Sequence, residues 1–469
     1  MSTLFRNIPS VDRILDRVDK EPDFAPLPRT MLKDLVNAFL DLCREEIRSG
    51  AITREEDLEL DNLWPRIKAY LKVRIRPHFR RVINATGVVI HTNLGRSVLP
   101  EEAAQAVNSA CLHYSNLEFS LETGQRGSRY SHVEDLLCRI SGAEAGLVVN
   151  NNASAVLIVL DTLAKNKEVV VSRGQLVEIG GSFRIPEVMA KSGACLKEVG
   201  ATNRTHLRDY QQAINEHTGA LLKVHTSNYR IIGFHKEVPL EDLVQLGREH
   251  DLPVIEDMGS GNFFDFQAHG YNFMDEPTVQ EVIRDGASVV SFSGDKLLGG
   301  PQCGIILGEK KYIDVIKKNP MNRAIRIDKM TLAALEATLK FYLDPDLARE
   351  KIPTLRMITM GADELKTRAQ KLRRRIKRRV TAENELSLFP AQSRVGGGAF
   401  PEQDLPTYLV GIGISGLSCD QLKERLLNTD PPLVGRVEND LFCLDPRTIE
   451  EQEYSLVVSA LNQAVGSGQ

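Results

Sequence analysis

From about residue 145 the chain repeats one pattern: a short apolar run, then a longer segment with helical spacing. Residues 145–149, 168–171, 220–224, 253–255 and 287–290 are apolar almost throughout. Segments between them, such as 207–216 and 240–250, carry apolar residues three and four apart. A strand that is apolar on both faces must be covered on both, and a helix after each strand returns the chain to a parallel neighbour. The pattern predicts an α/β protein with a mostly parallel sheet, whose ligand lies beyond the carboxyl ends of the strands.

At 469 residues the chain is too long for one core, so two or three domains are expected. Residues 1–80 read as a helical domain. Ser10 is placed to cap a helix carrying Val11, Ile14, Leu15 and Val18, and Thr30 to cap a longer one that Gly50 ends. A basic stretch from Arg66 to Arg81 follows Trp64, and reads either as a solvated face or as a nucleic-acid contact. Residues 81–345 read as the catalytic core. Residues 346–469 read as a basic helix over about 362–380 followed by a small α+β domain.

The net charge of -4 gives no global basic field, so any contact with RNA must come from local patches. No apolar run is long enough to span a bilayer, and the N-terminus lacks the apolar core of a signal peptide. The seven cysteines are irregularly spaced without a C-x-x-C pair, which predicts reduced thiols, no metal site and a cytoplasmic protein.

Three predicted strand ends carry polar residues that suit one cofactor. Val149 is followed by Asn150, Asn151, Asn152 and Ala153 at a predicted helix start, where backbone N–H groups favour phosphate; asparagines there also serve as plain caps. Ile255 is followed by Glu256 and Asp257, and a buried carboxylate at that point pairs with a protonated pyridine nitrogen. Ser293, Gly294, Asp295 and Lys296 follow the next apolar run. A lysine on such a turn forms a Schiff base with pyridoxal phosphate, and the Ser293 hydroxyl reaches the phosphate. Asp257 precedes Lys296 by 39 residues, about one strand–helix–strand unit. The order of phosphate turn, carboxylate and lysine predicts the aminotransferase-like, fold type I arrangement. Further on, Arg323 and Arg326 are three apart, which puts them on one face of a helical turn, and they read either as a pair of guanidinium groups for a tetrahedral oxyanion or as surface salt-bridge partners. Arg96 lies on a glycine-punctuated segment that begins at Ile83.

These residues resemble the bacterial selenocysteine synthases, the L-seryl-tRNA(Sec) selenium transferases. The motifs that carry the resemblance are 83–96, 149–153, 172–181, 225–228 and the Lys296 stretch. Departures are Gln175 where the family has Glu, Glu256 and Met258 around Asp257, and Cys303 for Ala. The resemblance implies a pyridoxal-phosphate enzyme that converts seryl-tRNA(Sec) and selenophosphate to selenocysteinyl-tRNA(Sec) through a dehydroalanyl-tRNA. It implies catalytic roles for Lys296, Asp257 and Asp295, cofactor contacts from Asn151, Asn152, Ala153, Asn228 and Ser293, and a selenium-donor site at Arg96, Arg323 and Arg326. It also implies tRNA contact by the N-terminal domain and a homo-oligomer, a large ring of dimers. The rival readings are a pyridoxal-phosphate lyase or ammonia-lyase on a small amino acid or sugar acid, and an RNA-binding protein with a vestigial cofactor site.

Overall fold

The computed structural model describes residues 2–179, 183–226, 229, 231–273, 276–401 and 403–466. It divides into two compact units, one up to Arg81 and one from Val82.

The first unit is helical. Helices Val11–Val18, Arg29–Ser49 and Leu60–Arg74 bury Ile14, Leu15, Val36, Leu40, Leu63, Ile67 and Leu71 in one apolar cluster. The Ser10 side chain accepts from the Arg13 N–H (3.4 Å), as expected of a cap. Thr30 does not cap the long helix. Pro28, with extended backbone, turns the chain into the helix, so Thr30 falls inside the first turn. Gly50 closes that helix at φ 77°. The basic face that begins at Arg66 is largely neutralised from within: Arg66 pairs with Glu46 (2.6 Å), Lys68 with Glu21 (2.5 Å) and Lys72 with Asp23 (2.6 Å).

The second unit is built on a seven-stranded sheet. Its strands are β1 (Ala145–Val149), β2 (Glu168–Ser172), β3 (Cys195–Val199), β4 (Thr218–Val224), β5 (Val254–Gly259), β6 (Val289–Ser293) and β7 (Gly304–Gly308). The spatial order is β1-β7-β6-β5-β4-β2-β3. Pairings β6–β5, β5–β4, β4–β2 and β2–β3 are parallel, and β7 runs antiparallel to both its neighbours. The five strands β1, β4, β5, β6 and β7 are buried over nearly all their residues, which accounts for their mostly apolar sequences, interrupted in β5 by Glu256 and Asp257. The edge strand β3 carries exposed residues, as an edge requires.

A smaller antiparallel sheet holds β8 (Asn384–Arg394), β9 (Asp404–Ile414), β10 (Arg436–Glu438) and β11 (Leu441–Leu444), in the order β8-β9-β11-β10. Helix Ala362–Arg379 buries Leu365 and packs Ala369, Leu372 and Ile376 into the core that covers this sheet. Ile83 and Ala85 enter the same core. No helix among the described residues is long and apolar enough to cross a membrane. All seven cysteines are free thiols.

Gly304 is the tightest position in the site-bearing end of the sheet. A Cβ there would lie 2.1 Å from the Asn151 carbonyl oxygen. Gly304→Ala is therefore expected to push the Asn151 turn away from the sheet at a cost of about 1–3 kcal/mol. Calorimetry should show a lower unfolding midpoint, and titration a weaker grip on pyridoxal phosphate.

Candidate active site

The carboxyl ends of β1, β4, β5 and β6 lie at one edge of the sheet, and β7 begins there because it runs the opposite way. Gly304 pairs with Ser293 on one side and with Val149 on the other. The turn between β6 and β7 carries Asp295 and Lys296, both buried. Strand, turn, strand is the expected arrangement, and the lysine on the turn is enclosed.

Asp257 sits in β5 opposite Ser291 of β6. Its Oδ1 accepts from Asn152 Nδ2 (2.8 Å) and from the Ser291 hydroxyl (3.4 Å). The main-chain oxygen of Asp257 accepts from the N–H of His225 at the end of β4 (2.8 Å). The asparagine cluster is thus divided in its duties. The Asn151 side chain caps helix Asn152–Leu163 by accepting from the Ser154 N–H (2.8 Å). The Asn152 side chain reaches Asp257. What this turn can offer a phosphate is the first-turn N–H of Asn152 and Ala153, which a helix leaves without an internal acceptor. Ser293 is buried at the adjoining strand end. Asn228 lies outside the described residues. Gln175, at the end of β2, accepts from the Val224 N–H (3.2 Å) and ties two strand ends together.

A loop from the opposite direction holds the lysine turn. Arg96 Nη1 donates to Asp295 Oδ2 (2.8 Å), the Ser97 N–H to the Asp295 carbonyl (3.3 Å) and the Ser97 hydroxyl to the Lys296 carbonyl (2.6 Å). Arg96 has φ 62°, a left-handed conformation that costs a side-chain-bearing residue about 1–2 kcal/mol. The geometry needs that turn to bring both Arg96 and Ser97 onto the lysine loop. Sequence spacing gives no sign of the Arg96–Asp295 pair.

Arg323 and Arg326 do not share a helical face. The helix that holds Arg323 is the single turn Asn322–Ile325, and Arg326 follows it in extended conformation, bridged to Val149 of β1. The bridge brings Arg326 to the strand end where the Asn151 turn begins. Its guanidinium lies 3.6 Å from Glu118, which also binds Arg129. Arg323 is exposed, and its side chain makes no hydrogen bond or ion pair with the described residues.

Burial dominates the electrostatics. It pushes the Asp257 carboxyl above its ordinary range, against the Asn152 hydrogen bond and the Lys296 charge. It pushes the Lys296 amine below its ordinary range, against the attraction of Asp257. Glu276 is a third group that the sequence did not mark. It is buried, its carboxyl is pushed up, and its Oε2 accepts from the Phe400 N–H (2.9 Å) while Oε1 has no partner among the described residues. Glu276 also lines an open cleft of about 700 Å³ that begins beyond β4, with His225, Thr226, Tyr229, Ile231 and Phe400. Burial pushes His225 down to about 4, so its imidazole is neutral at neutral pH. Glu276 sits among polar loop residues with no periodicity, so no local signal separates it from a surface acid.

The residues fit pyridoxal phosphate. Asp257 is a fully buried carboxyl that a cationic ring nitrogen would compensate, and Lys296 is a buried amine with a lowered proton affinity, suited to attack a carbonyl. The sheet order, its one antiparallel strand and this constellation define a pyridoxal-phosphate enzyme of fold type I. Residues 82–450 match the family described as L-seryl-tRNA selenium transferase, and residues 5–44 match Selenocysteine synthase N terminal. The chain belongs to the L-seryl-tRNA selenium transferase family. It is 65% identical to the L-seryl-tRNA(Sec) selenium transferase of Desulfomicrobium baculatum, over 98% of this chain and 99% of that one. It is 51% identical to the protein of the same name from Geobacter sulfurreducens, over 98% and 99%. Among solved structures, D-glucosaminate-6-phosphate ammonia-lyase shares the fold, with a TM-score of 0.57 and 22% identity over 85% of this chain and 98% of that one.

The lowered Lys296 proton affinity has a kinetic signature. Only the neutral amine captures pyridoxal phosphate, so the capture rate should rise with pH and level off below 10.5, the ordinary value for lysine. Removing a nearby negative charge, as in Glu276→Gln, should move the midpoint lower. Removing the positive charge of Arg96 should move it higher. Stopped-flow absorbance across a pH series measures both. A midpoint unmoved by both changes would contradict the electrostatic account.

Proposed function

We propose that the protein converts L-seryl-tRNA(Sec) and selenophosphate to L-selenocysteinyl-tRNA(Sec) through a dehydroalanyl-tRNA, in the cytoplasm and as a homo-oligomer of dimers. The observation that carries the reading is the buried Asp257 and Lys296 at neighbouring strand ends, in a chain that matches its family over residues 5–44 and 82–450. When bound, pyridoxal phosphate supplies an electron sink for the bonds at the seryl Cα. Asp257 would hold the proton on the ring nitrogen. The N–H groups of Asn152 and Ala153 and the Ser293 hydroxyl would hold the phosphate. The neutral Lys296 Nζ takes the Cα proton, and burial favours that neutral form. Asp295 is a positioning residue: its ion pair fixes the Arg96 guanidinium beside the lysine turn.

Arg96, Arg323 and Arg326 are the basic groups assigned to the selenium donor, and none of them is required for the cofactor phosphate in this reading. Alanine at each should leave pyridoxal phosphate bound and dehydroalanyl-tRNA forming. Selenium transfer should fall roughly ten- to a hundredfold, the range for losing one charge-assisted hydrogen bond. Cofactor absorbance and trapping of the dehydroalanyl product separate the two steps. Loss of cofactor from the variants would contradict the assignment.

The N-terminal unit is assigned to selecting the tRNA. Deleting residues 1–75 should leave a cofactor-bound second unit that no longer prefers tRNA(Sec) over bulk tRNA, since backbone charge alone gives no selectivity. The decisive experiment for the whole reading is to give the loaded protein seryl-tRNA(Sec) and selenophosphate and look for selenocysteinyl-tRNA. If none forms while a small amino acid or sugar acid is deaminated, the lyase reading replaces this one.

A further inference from the structure

Helix Ala362–Arg379 is amphipathic in an unusual way. One stripe, Leu365, Ala369, Leu372 and Ile376, is buried against the small sheet. Arg368 is buried as well, with Nη2 donating to the Ile449 carbonyl (2.8 Å). Lys371 is also accounted for, paired with Glu451 (2.9 Å). What remains is a run from Arg373 to Arg379 in which Arg373, Arg374, Arg375, Lys377, Arg378 and Arg379 have no ion pair with any described residue. Arg374 donates only to a carbonyl of its own helix, that of Gln370 (3.3 Å).

The helix itself does not explain this run. Cations in the last turn complement the helix dipole, but that effect ends within the turn and leaves Arg373, Arg374 and Arg375 unaccounted for. Like charges four apart repel on a helix surface, as Arg373 and Lys377, Arg374 and Arg378, and Arg375 and Arg379 all must. Contrast the first unit, where Arg66, Lys68 and Lys72 each have a carboxylate. In a chain with net charge -4, the last two turns of this helix carry six cations without an ion pair among the described residues, and Arg374, Lys377 and Arg378 share one face. That is the charge pattern of a surface completed by an external polyanion.

We propose that this face of the helix, centred on Arg374, Lys377 and Arg378, binds the phosphate backbone of the tRNA substrate. The inference rests on the seryl-tRNA reading above and adds a second RNA-contacting surface, in the unit that carries the active site. Its contribution is affinity and orientation without sequence choice, because guanidinium and ammonium groups on phosphates do not read bases. Glutamine suits the test because it keeps the helix propensity and side-chain length while removing charge.

The test uses the full-length, cofactor-loaded protein with the triple variant Arg374→Gln, Lys377→Gln, Arg378→Gln. Binding of seryl-tRNA is measured against salt concentration, with unfolding midpoint, cofactor absorbance and oligomeric mass as controls. The expected result is at least tenfold weaker binding at moderate salt. The log–log salt slope should be shallower by about two to three, since each phosphate contact contributes up to about 0.9. The controls should be unchanged, and Arg374→Lys with Arg378→Lys should keep the wild-type slope. Unchanged affinity and slope in the glutamine variant would overturn the proposal. So would equal damage from the lysine variant, which points to a structural effect, or a drop in oligomeric mass, which would make this face a contact between copies of the chain. Should the wild type bind tRNA through this face yet form no selenocysteinyl-tRNA, the reaction reading falls and the surface stands. A wild type that does not bind tRNA at all overturns both.

Discussion

The structure depends on holding Asp257 and Lys296 together where water does not reach. Burial alone would neutralise each of them, the acid by proton uptake and the amine by proton loss. Each opposes that shift in the other, and the sheet order is what allows it. Parallel β5 and β6 deliver their carboxyl ends to the same edge. The antiparallel return into β7 keeps the lysine on a short connection, where a parallel return would need a crossover of a dozen residues or more. The enclosed turn is then packed against by glycine on both sides, with Gly261 approaching Ser293 and Gly304 approaching Asn151.

The segment before Arg96 acquires its purpose from the same constraint. It must deliver Arg96 and Ser97 onto the lysine turn, so it has to be anchored elsewhere. The anchor is Asp445, fully buried, which accepts from the hydroxyls of Ser393 (2.7 Å) and Thr407 (2.9 Å) and from the Arg447 N–H (3.0 Å). Gly87 lies against it so closely that a Cβ would stand 2.1 Å from the Asp445 carboxylate. The backbone of Ile83 and Asn84 pairs in parallel with Leu433 and Val434. The small sheet therefore does more than cap the chain: it fixes the strand that brings an arginine to the active site. The helix carrying the basic run packs on this sheet through its apolar stripe, so the basic surface and the Arg96 anchor share one core.

Much of this was legible in the sequence, for a physical reason. Parallel strands buried on both faces must be apolar throughout, so their positions and their order of polar ends could be read directly, and Asp257 and Lys296 fell where the pattern put them. Helix ends were less legible where backbone, not side chain, sets the boundary, as at Pro28 in place of Thr30. The shared helical face expected of Arg323 and Arg326 failed because spacing three apart implies a continuing helix, while the chain leaves the helix at Ile325 to bridge β1. Contacts between segments far apart in the chain left no local trace. Arg96 with Asp295, Asn152 with Asp257 and Glu276 with Phe400 each join residues about 100 to 200 positions apart. Composition, too, could count the basic residues near Arg66 but not see that Glu21, Asp23 and Glu46 fold back onto them.

Charge balance around the lysine limits what can bind beside it. Three carboxyls and two cations act on one another there: Asp257, Asp295, Glu276, Lys296 and Arg96. Arg96 is matched to Asp295, and Lys296 is drawn to Asp257. That leaves Glu276 without a cation of its own, and a buried unpaired carboxylate is the least favourable member of such a set. Burial pushes its carboxyl up, and its Oε1 faces no partner among the described residues. With three carboxyls around them, Lys296 and Arg96 offer an incoming anion no surplus positive charge. Arg323 has no acid beside it among the described residues, and Arg326 shares Glu118 with the more buried Arg129.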